Sequence, residues 1–258
     1  MIMEKVLAAA KPYLAGKTVR DLVIGITLVG CQLDSGDVGV SYVLRDDLPS
    51  GCAAFPNAPA VIGQSAAEVA SLVVTGENDL QRAVGSAVLA AGSRGQELPD
   101  DNTAGTPFGL ELRPDDTVGM VGMIKPVADQ IAPLVKELFV FDKGKCKARH
   151  CAAMDLLCPM EKQPELLPKC DLVLLSGTTT INGTIDALLE MCEKAREVVM
   201  VGPSTPMFPA GWKGSRITRL AGSWWDNDRK EEIFKLISLA GGVQSLASYM
   251  RKKCVAVL

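Results

Sequence analysis

The spacing of apolar positions changes twice within the first ninety residues. Up to about residue 14 the spacing is helical, and it is followed by two strand-like runs at residues 22–31 and 38–44. Aspartate and glycine between these runs predict a turn, so the pair is interpreted as a β-hairpin. Helical spacing returns at residues 69–73 and 80–91. This part of the chain therefore predicts an α+β module.

The second half alternates short apolar runs with stretches of helical spacing. Strands are expected at residues 118–121, 138–141, 172–176 and 198–201, with a last strand at 217–221. Two further helices are expected near residues 230–239 and 243–250. Strands separated by helices predict a parallel sheet. Between the halves, residues 92–116 are polar and rich in glycine and proline, which predicts a boundary near residue 112.

The predicted fold class is α/β with two domains, an α+β domain at residues 1–112 and a parallel-sheet domain at residues 113–258. The 258 residues are 48% hydrophobic and 22% charged, which is enough apolar material for a large core. The formal net charge is only -3 and no basic block occurs, so nucleic acid and anionic membrane surfaces are not expected partners. A small molecule is the expected partner.

The eight cysteines have no C-x-x-C spacing, which favours a reduced, cytoplasmic protein. The run Leu28-Val29-Gly30-Cys31 resembles a lipoprotein box, but charged residues lie close before it. Its apolar stretch is also far shorter than the ~20 residues that a membrane helix needs. The cytoplasmic prediction is therefore kept, and no membrane association is expected.

Each predicted strand of the second half ends in glycine, aspartate, serine or threonine. The carboxyl ends of parallel strands meet at one edge of the sheet, and ligands bind there in open α/β folds. Free N–H groups where helices begin favour an anionic or oxygen-rich ligand. Capping of a helix near residue 184 is the alternative role for the amide and hydroxyl there. The candidate ligand-binding residues are Gly122, Asp142, Gly177, Thr178, Thr179, Asn182, Thr184, Pro203, Ser204 and Thr205.

Two further patterns are less specific. Gly122 and the aspartate at 142, twenty residues later, form half of a dinucleotide fingerprint, but the full glycine motif is absent and a tight strand-to-helix turn is favoured. Cys146 and His150 have a spacing that places two zinc ligands on one helix face. Because His150 is the only histidine and lysines surround it, a basic loop with incidental thiols is the favoured interpretation. No catalytic triad is predicted.

The chain resembles a heavy-metal chelation family whose function has not been established. The resemblance rests on residues 176–184, on Gly202-Pro203-Ser204-Thr205-Pro206 and on Ala221-Gly222-Ser223, in that order and spacing. It covers nearly the whole chain and is most specific in the second half. It implies an enolase N-terminal-like first domain, a Rossmann-like second domain and a ligand site in the cleft between them.

The resemblance implies that a heavy metal or a metal complex is bound. Hydroxyls and backbone amides are poor ligands for a bare heavy-metal cation, so we expect an anionic complex or a metal oxyanion. The alternative is a transferase or hydrolase for a nucleotide-like or phosphorylated small molecule, with Asp142 on the ribose and the Thr178 and Ser204 turns on phosphate. A third alternative is an assembly subunit with a vestigial cleft. A homodimer is the expected assembly if the chain is not a monomer.

Overall fold

The computed structural model describes residues 1–101, 106–143 and 156–258, which form a mixed α/β fold. In chain order, the first half contains α1 (Ile2–Leu14), β1 (Val19–Ile24), β2 (Leu28–Leu33), β3 (Val38–Tyr42), α2 (Ala66–Ala70), α3 (Leu72–Thr75) and α4 (Asp79–Gly92). The second half contains β4 (Thr117–Val121), α5 (Lys125–Ile131), β5 (Glu137–Phe141), β6 (Leu157–Cys158), α6 (Gln163–Leu166), β7 (Leu172–Ser176), α7 (Ile185–Met191), β8 (Glu197–Val201), α8 (Pro209–Trp212), β9 (Arg219–Trp225), α9 (Lys230–Ser238) and β10 (Met250–Ala256).

The first sheet is a three-stranded antiparallel meander, β1-β2-β3. The prediction of one strand over residues 22–31 was wrong, because the run breaks into the end of β1 and the start of β2. The Gly25 N–H donates to the Leu28 carbonyl at 2.9 Å and closes the turn between them. The hydroxyl of Thr27 in this turn donates to the Gly241 carbonyl at 2.7 Å, which ties the turn to the chain after α9. The predicted turn at residues 34–37 is present.

The second sheet confirms the predicted α/β class. Its described strands have the order β10-β9-β8-β7-β4-β5-β6, in which the six from β4 to β9 are parallel and β10 is antiparallel to β9. The chain passes outward from β4 to β5 and β6, and then returns to place β7 on the other side of β4. This reversal of direction makes the carboxyl ends of β4 and β7 the switch point of the sheet, where open α/β sheets bind ligands.

The last forty residues differ from the prediction. The strand expected at residues 217–221 is β9, which continues through Trp225, and the helix expected at 243–250 is a 3-10 helix, Val243–Tyr249. Strand β10 was not predicted, because its three consecutive cationic residues interrupt the apolar pattern of a strand. Asp101 protects the open edge of β10, since its N–H donates to the Cys254 carbonyl and its carboxylate accepts the Ala256 N–H, both at 2.8 Å.

Helix α4 joins the two halves of the chain. It is buried along nearly its whole length, packs on β2 and β3, and belongs to a hydrophobic cluster that also contains Phe208 and Trp212 of the second half. Its polar side chains contact the ends of β7 and β8, and the residue that follows it contacts the end of β9. The boundary near residue 112 and the enolase-like first domain remain predictions, because this cluster runs through both halves.

The described helices include none that is long and apolar enough to cross a membrane. Cys31, the cysteine of the lipoprotein-like run, is fully buried in β2.

A buried ion pair fixes the amino-terminal edge of the large sheet. Arg196, before β8, donates to both carboxylate oxygens of Asp116, before β4, at 2.6 Å each. The Arg113 N–H donates to the same carboxylate at 2.7 Å. Burial by itself would raise the pKa of Asp116, but the hydrogen bonds and charge of Arg196 outweigh it and hold this pKa below its ordinary value.

We expect Asp116→Asn to lower the free energy of unfolding by roughly 3 kcal/mol at pH 7, because it leaves Arg196 without its anion. The folded-state pKa is depressed, so this contribution is complete above the unfolded-state pKa of about 4 and is lost as the pH falls through the folded-state pKa. Denaturant unfolding at several pH values checks the prediction. Glu165→Gln, in an exposed pair with Lys169, is the matched control and should change little. A pH-independent difference between wild type and Asp116→Asn would contradict it.

Candidate functional site

The turns after β4 and β7 contact each other at the switch point of the sheet. Gly122 has a φ of 88°, and its N–H donates to the Phe141 carbonyl at 2.7 Å. A Cβ at Gly122 would lie 2.7 Å from the Cβ of Ser176. Both the left-handed backbone and the close approach therefore require glycine here. We call this place, bordered by Gly122, Asp142, Ser176 and Thr178, the switch-point crevice.

Asp142, at the end of β5, fixes the turn after β4. Its Oδ2 accepts a hydrogen bond from the Met123 N–H at 2.5 Å, and its side chain is half-buried. The carboxylate therefore orients the backbone on one side of the crevice. A ribose hydroxyl, the partner that the enzyme alternative assigns to Asp142, would have to share this carboxylate with Met123.

Two hydroxyls form a pair on the other side of the crevice. The Oγ of Ser176 and the Oγ1 of Thr178 lie 2.8 Å apart, and either can be the donor. Both residues are half-buried, so neither hydroxyl is sealed in the core. Each hydroxyl has a further lone pair, so this pair can accept or donate one more hydrogen bond. Ser176 was not among the predicted site residues, although its place as the last residue of a strand was the available signal.

The remaining polar side chains of the turn after β7 form hydrogen bonds within the turn itself. Thr179 Oγ1 donates to the Ser176 carbonyl at 2.8 Å, and Thr180 Oγ1 donates to the Gly177 carbonyl at 2.8 Å. Asn182 Oδ1 accepts from the N–H of Thr184 at 3.2 Å and from its hydroxyl at 2.7 Å. These bonds lie just before α7, as the capping interpretation expected, although the cap position at Thr184 has no side-chain cap of its own.

The turn after β8 packs under the turn after β7. A Cβ at Gly177 would lie 2.6 Å from the Thr205 nitrogen and 2.7 Å from the Ser204 carbonyl carbon. Ser204 is buried, and its Oγ accepts the Tyr42 N–H at 2.9 Å and lies 3.1 Å from the Ser41 Oγ. Ser204 therefore joins β3 of the first sheet to the second sheet.

Pro203 and Thr205 of the same turn are also buried. Thr205 differs from its neighbours because its Oγ1 is buried without a hydrogen-bond partner among the described residues. The ten predicted site residues thus lie along one edge of the sheet, and the structure brings Gly122, Asp142 and Thr178 together at the crevice. The others lie in the two turns, where Thr179, Asn182, Thr184 and Ser204 hold the backbone.

The four buried thiols among the described residues are poor ligands for a heavy metal. Burial raises the pKa of Cys31, and it raises the pKa of Cys170 and of Cys192 to about 12 and that of Cys254 to about 11. These side chains are therefore protonated thiols at neutral pH, whereas the thiolate is the metal-binding form.

No group of three or more histidine, cysteine, aspartate or glutamate side chains suited to a metal ion occurs in residues 1–101, 106–143 and 156–258. The Cys146 and His150 pair lies outside these residues. The donor set of the crevice is therefore hydroxyl and carboxylate oxygen, which does not fit a bare soft cation.

The sequence matches two family profiles with the same description. Residues 106–256 match the DUF364 family, described as "Putative heavy-metal chelation", and residues 7–93 match the DUF4213 family under the same words. The first match covers more than half of the chain. The chain belongs to the DUF364 family. The predicted resemblance is thereby confirmed, while metal binding is suggested only by the description of the family.

Two solved DUF364 proteins of unknown function have the same fold. The one from Pyrococcus horikoshii matches with a TM-score of 0.79 and 20% identity over 100% of both chains. The one from Desulfitobacterium hafniense DCB-2 matches with a TM-score of 0.79 and 20% identity over 99% of this chain and 98% of that chain. An uncharacterized protein of Methanocaldococcus jannaschii is 31% identical over 115 residues, which is 43% of this chain. The chain spans 42% of the length of that curated relative.

We expect Gly177→Ala to destabilise the protein by roughly 1–3 kcal/mol, because the new methyl group would force the turns after β7 and β8 apart. Thermal or denaturant unfolding measures the change. Gly242→Ala is the matched control, since a Cβ there meets no atom within 4 Å and φ is -93°. Equal stability of the two variants would show that the close approach at Gly177 is not required.

We expect Cys52, which is exposed, to react with a maleimide at least tenfold faster than Cys170, Cys192 or Cys254 in the folded protein. Burial and the raised pKa both withhold the thiolate from the reagent. Peptide mapping after a short labelling time measures the rates, and labelling in denaturant is the control that should remove the difference. Equal labelling in the folded state would contradict the assignment of these thiols to the core.

Proposed function

We propose that the protein binds a metal carried in a small, oxygen-rich complex or as an oxyanion, and that this ligand occupies the switch-point crevice. The observation that carries the proposal is the contact between Gly122 and Ser176, which joins the ends of β4 and β7 where the sheet reverses direction. Parallel sheets bind small molecules outside this point, because the two chain connections diverge there. The first half of the chain contacts the turn after β7, since Arg82 of α4 donates to the Ile181 carbonyl.

The chemistry of the crevice favours an oxygen-rich ligand. The hydroxyls of Ser176 and Thr178 can hydrogen-bond to the oxygen atoms that surround a complexed metal. The described residues offer no thiolate or imidazole cluster that would strip such a complex of its own ligands. A metal that arrives already coordinated reconciles the family description with these donors. Under this proposal the protein acts as a handling or binding protein.

The alternative function is a transferase or hydrolase for a nucleotide-like or phosphorylated small molecule. The order of the parallel strands and the aspartate at the end of β5 favour it. Two observations weigh against it: Asp142 already binds the Met123 N–H, and the turn after β4 has only one glycine. We therefore rank it second.

Calorimetry with free Ni²⁺, nickel citrate and molybdate tests the first proposal. We expect the complex or the oxyanion to bind more tightly than the free cation. Thr178→Val should weaken that binding about tenfold or more, because one hydrogen bond to a charged ligand is worth ~1.5–3 kcal/mol. Thr75→Val is the matched control, because it makes the same chemical change at an exposed residue of α3 that lies away from the crevice.

Two results would overturn the proposal. One is tight binding of free Ni²⁺ that Thr178→Val leaves unchanged. The other is thermal stabilisation by nucleotides or S-adenosylmethionine with none by the metal ligands, which would favour the enzyme alternative. A ligand at a hundred times its dissociation constant adds ~2.7 kcal/mol of stability, so a thermal-shift screen detects either class.

A further inference from the structure

Two cations stack on the indole ring of Trp224 where α4 ends against β9 and β10. The guanidinium carbon of Arg94 lies 5.1 Å from the ring centroid, and the Lys253 Nζ lies 4.7 Å from it. The ring is fixed in place, since its Nε1 donates to the Ser93 Oγ at 3.1 Å. Ser93 in turn donates to the Ala90 carbonyl at 2.7 Å.

The register of β9 and β10 adds a third cation to this face. Arg251 is the cross-strand partner of Trp224, and Lys253 is the partner of Gly222. Directly paired residues of antiparallel strands share one face of the sheet. We call Arg94, Trp224, Arg251 and Lys253 the tryptophan–cation cluster.

The cations of this cluster have no anionic partner among the described residues. The ion pairs formed by the described residues use the amino terminus or lysines and arginines outside the cluster. Lys253 is nevertheless buried, with 7% of its surface exposed, and no other described lysine or arginine is buried to this extent. The Arg94 Nε is also buried and has no hydrogen-bond partner in the described part of the chain.

Such an arrangement is unfavourable without a counter-ion. Cation–π contact offsets part of the desolvation of each cation, but it does not relieve the repulsion between two like charges on one ring. The charges are therefore arranged for an anion that the protein itself does not supply.

We propose that the tryptophan–cation cluster binds the anionic oxygen group, phosphate or carboxylate, of a small molecule. Arg94 and Lys253 pair with its oxygens, and the Trp224 ring on which both cations stack holds them in place. Trp224, Arg251 and Lys253 lie on β9 and β10, and Arg94 follows α4. Strand β8 separates β9 from β7, whose end borders the switch-point crevice. The proposal therefore goes beyond the function proposed above and does not depend on it.

Calorimetric titration with inorganic phosphate and with citrate, at constant ionic strength, tests the proposal on the full chain. We expect saturable binding of at least one anion, weakened tenfold or more by Lys253→Met and by Arg94→Gln. Lys252→Met is the matched control, because the neighbouring residue of β10 is exposed and points to the other face. It should bind as the wild type does, and the relative affinities of the two anions identify phosphate or carboxylate as the preferred group.

Thermal unfolding in anion-free buffer separates a binding role from a structural one. Lys253→Met keeps the buried apolar stem and removes one of the two like charges on the Trp224 ring, so its Tm should equal or exceed that of the wild type. A lower Tm with unchanged anion affinity would show that Lys253 only stabilises the fold and would overturn the proposal. Absence of saturable binding of both anions to the wild type would also overturn it. Thr178→Val should leave phosphate binding to the tryptophan–cation cluster intact. Failure of the cluster proposal is therefore distinguishable from failure of the crevice proposal.

Discussion

The turns after β7 and β8 pack backbone against backbone at Gly177, and the position of each candidate ligand contact depends on that close approach. No side chain fits between Gly177 and the 204–205 peptide, so the two turns behave as one rigid unit. Gly122 makes a similar contact with Ser176 from the other side. Three neighbouring strand ends are thereby locked together. A ligand bound at this edge would therefore meet turns that are already ordered, which lowers the cost of binding.

This rigidity uses most of the hydroxyl groups that a ligand would otherwise contact. The hydroxyls of Thr179 and Thr180 donate to backbone carbonyls, and that of Ser204 accepts an N–H of the first sheet. The Ser176–Thr178 pair can still form a hydrogen bond to a ligand. A hydroxyl-rich motif can thus be mainly structural while still marking the site. Under the function proposed above, metal specificity comes from the whole complex and its shape, because the described residues provide no soft ligand set.

Among the described residues, charged side chains are paired at one end of the large sheet and unpaired at the other. At the amino-terminal edge, Asp116 and Arg196 satisfy each other and tie β4 to β8. Beside Trp224, Arg94 and Lys253 are left without acids in the described chain, even though the protein carries a net negative charge. Removing one partner of a buried ion pair is strongly destabilising, whereas like charges without a counter-ion repel each other and favour the binding of an anion. This contrast separates the structural edge of the sheet from the part that we infer to be functional.

The amino-acid sequence by itself determined the alternation of strands and helices, the parallel sheet and the family, because these depend on local apolar spacing and on short motifs. It also placed Gly122, Asp142 and Thr178 at or just after strand ends, which meet at one edge of a parallel sheet. Only the tertiary structure showed that residues 22–31 form parts of two strands, that a cationic segment forms β10, and that Ser204 binds β3. Arg94 and Lys253 are 159 positions apart, and both lie over the Trp224 ring because the residues after α4 and strand β10 pack against it. Local patterns carry the first kind of information, while contacts between distant residues depend on packing that no local pattern encodes.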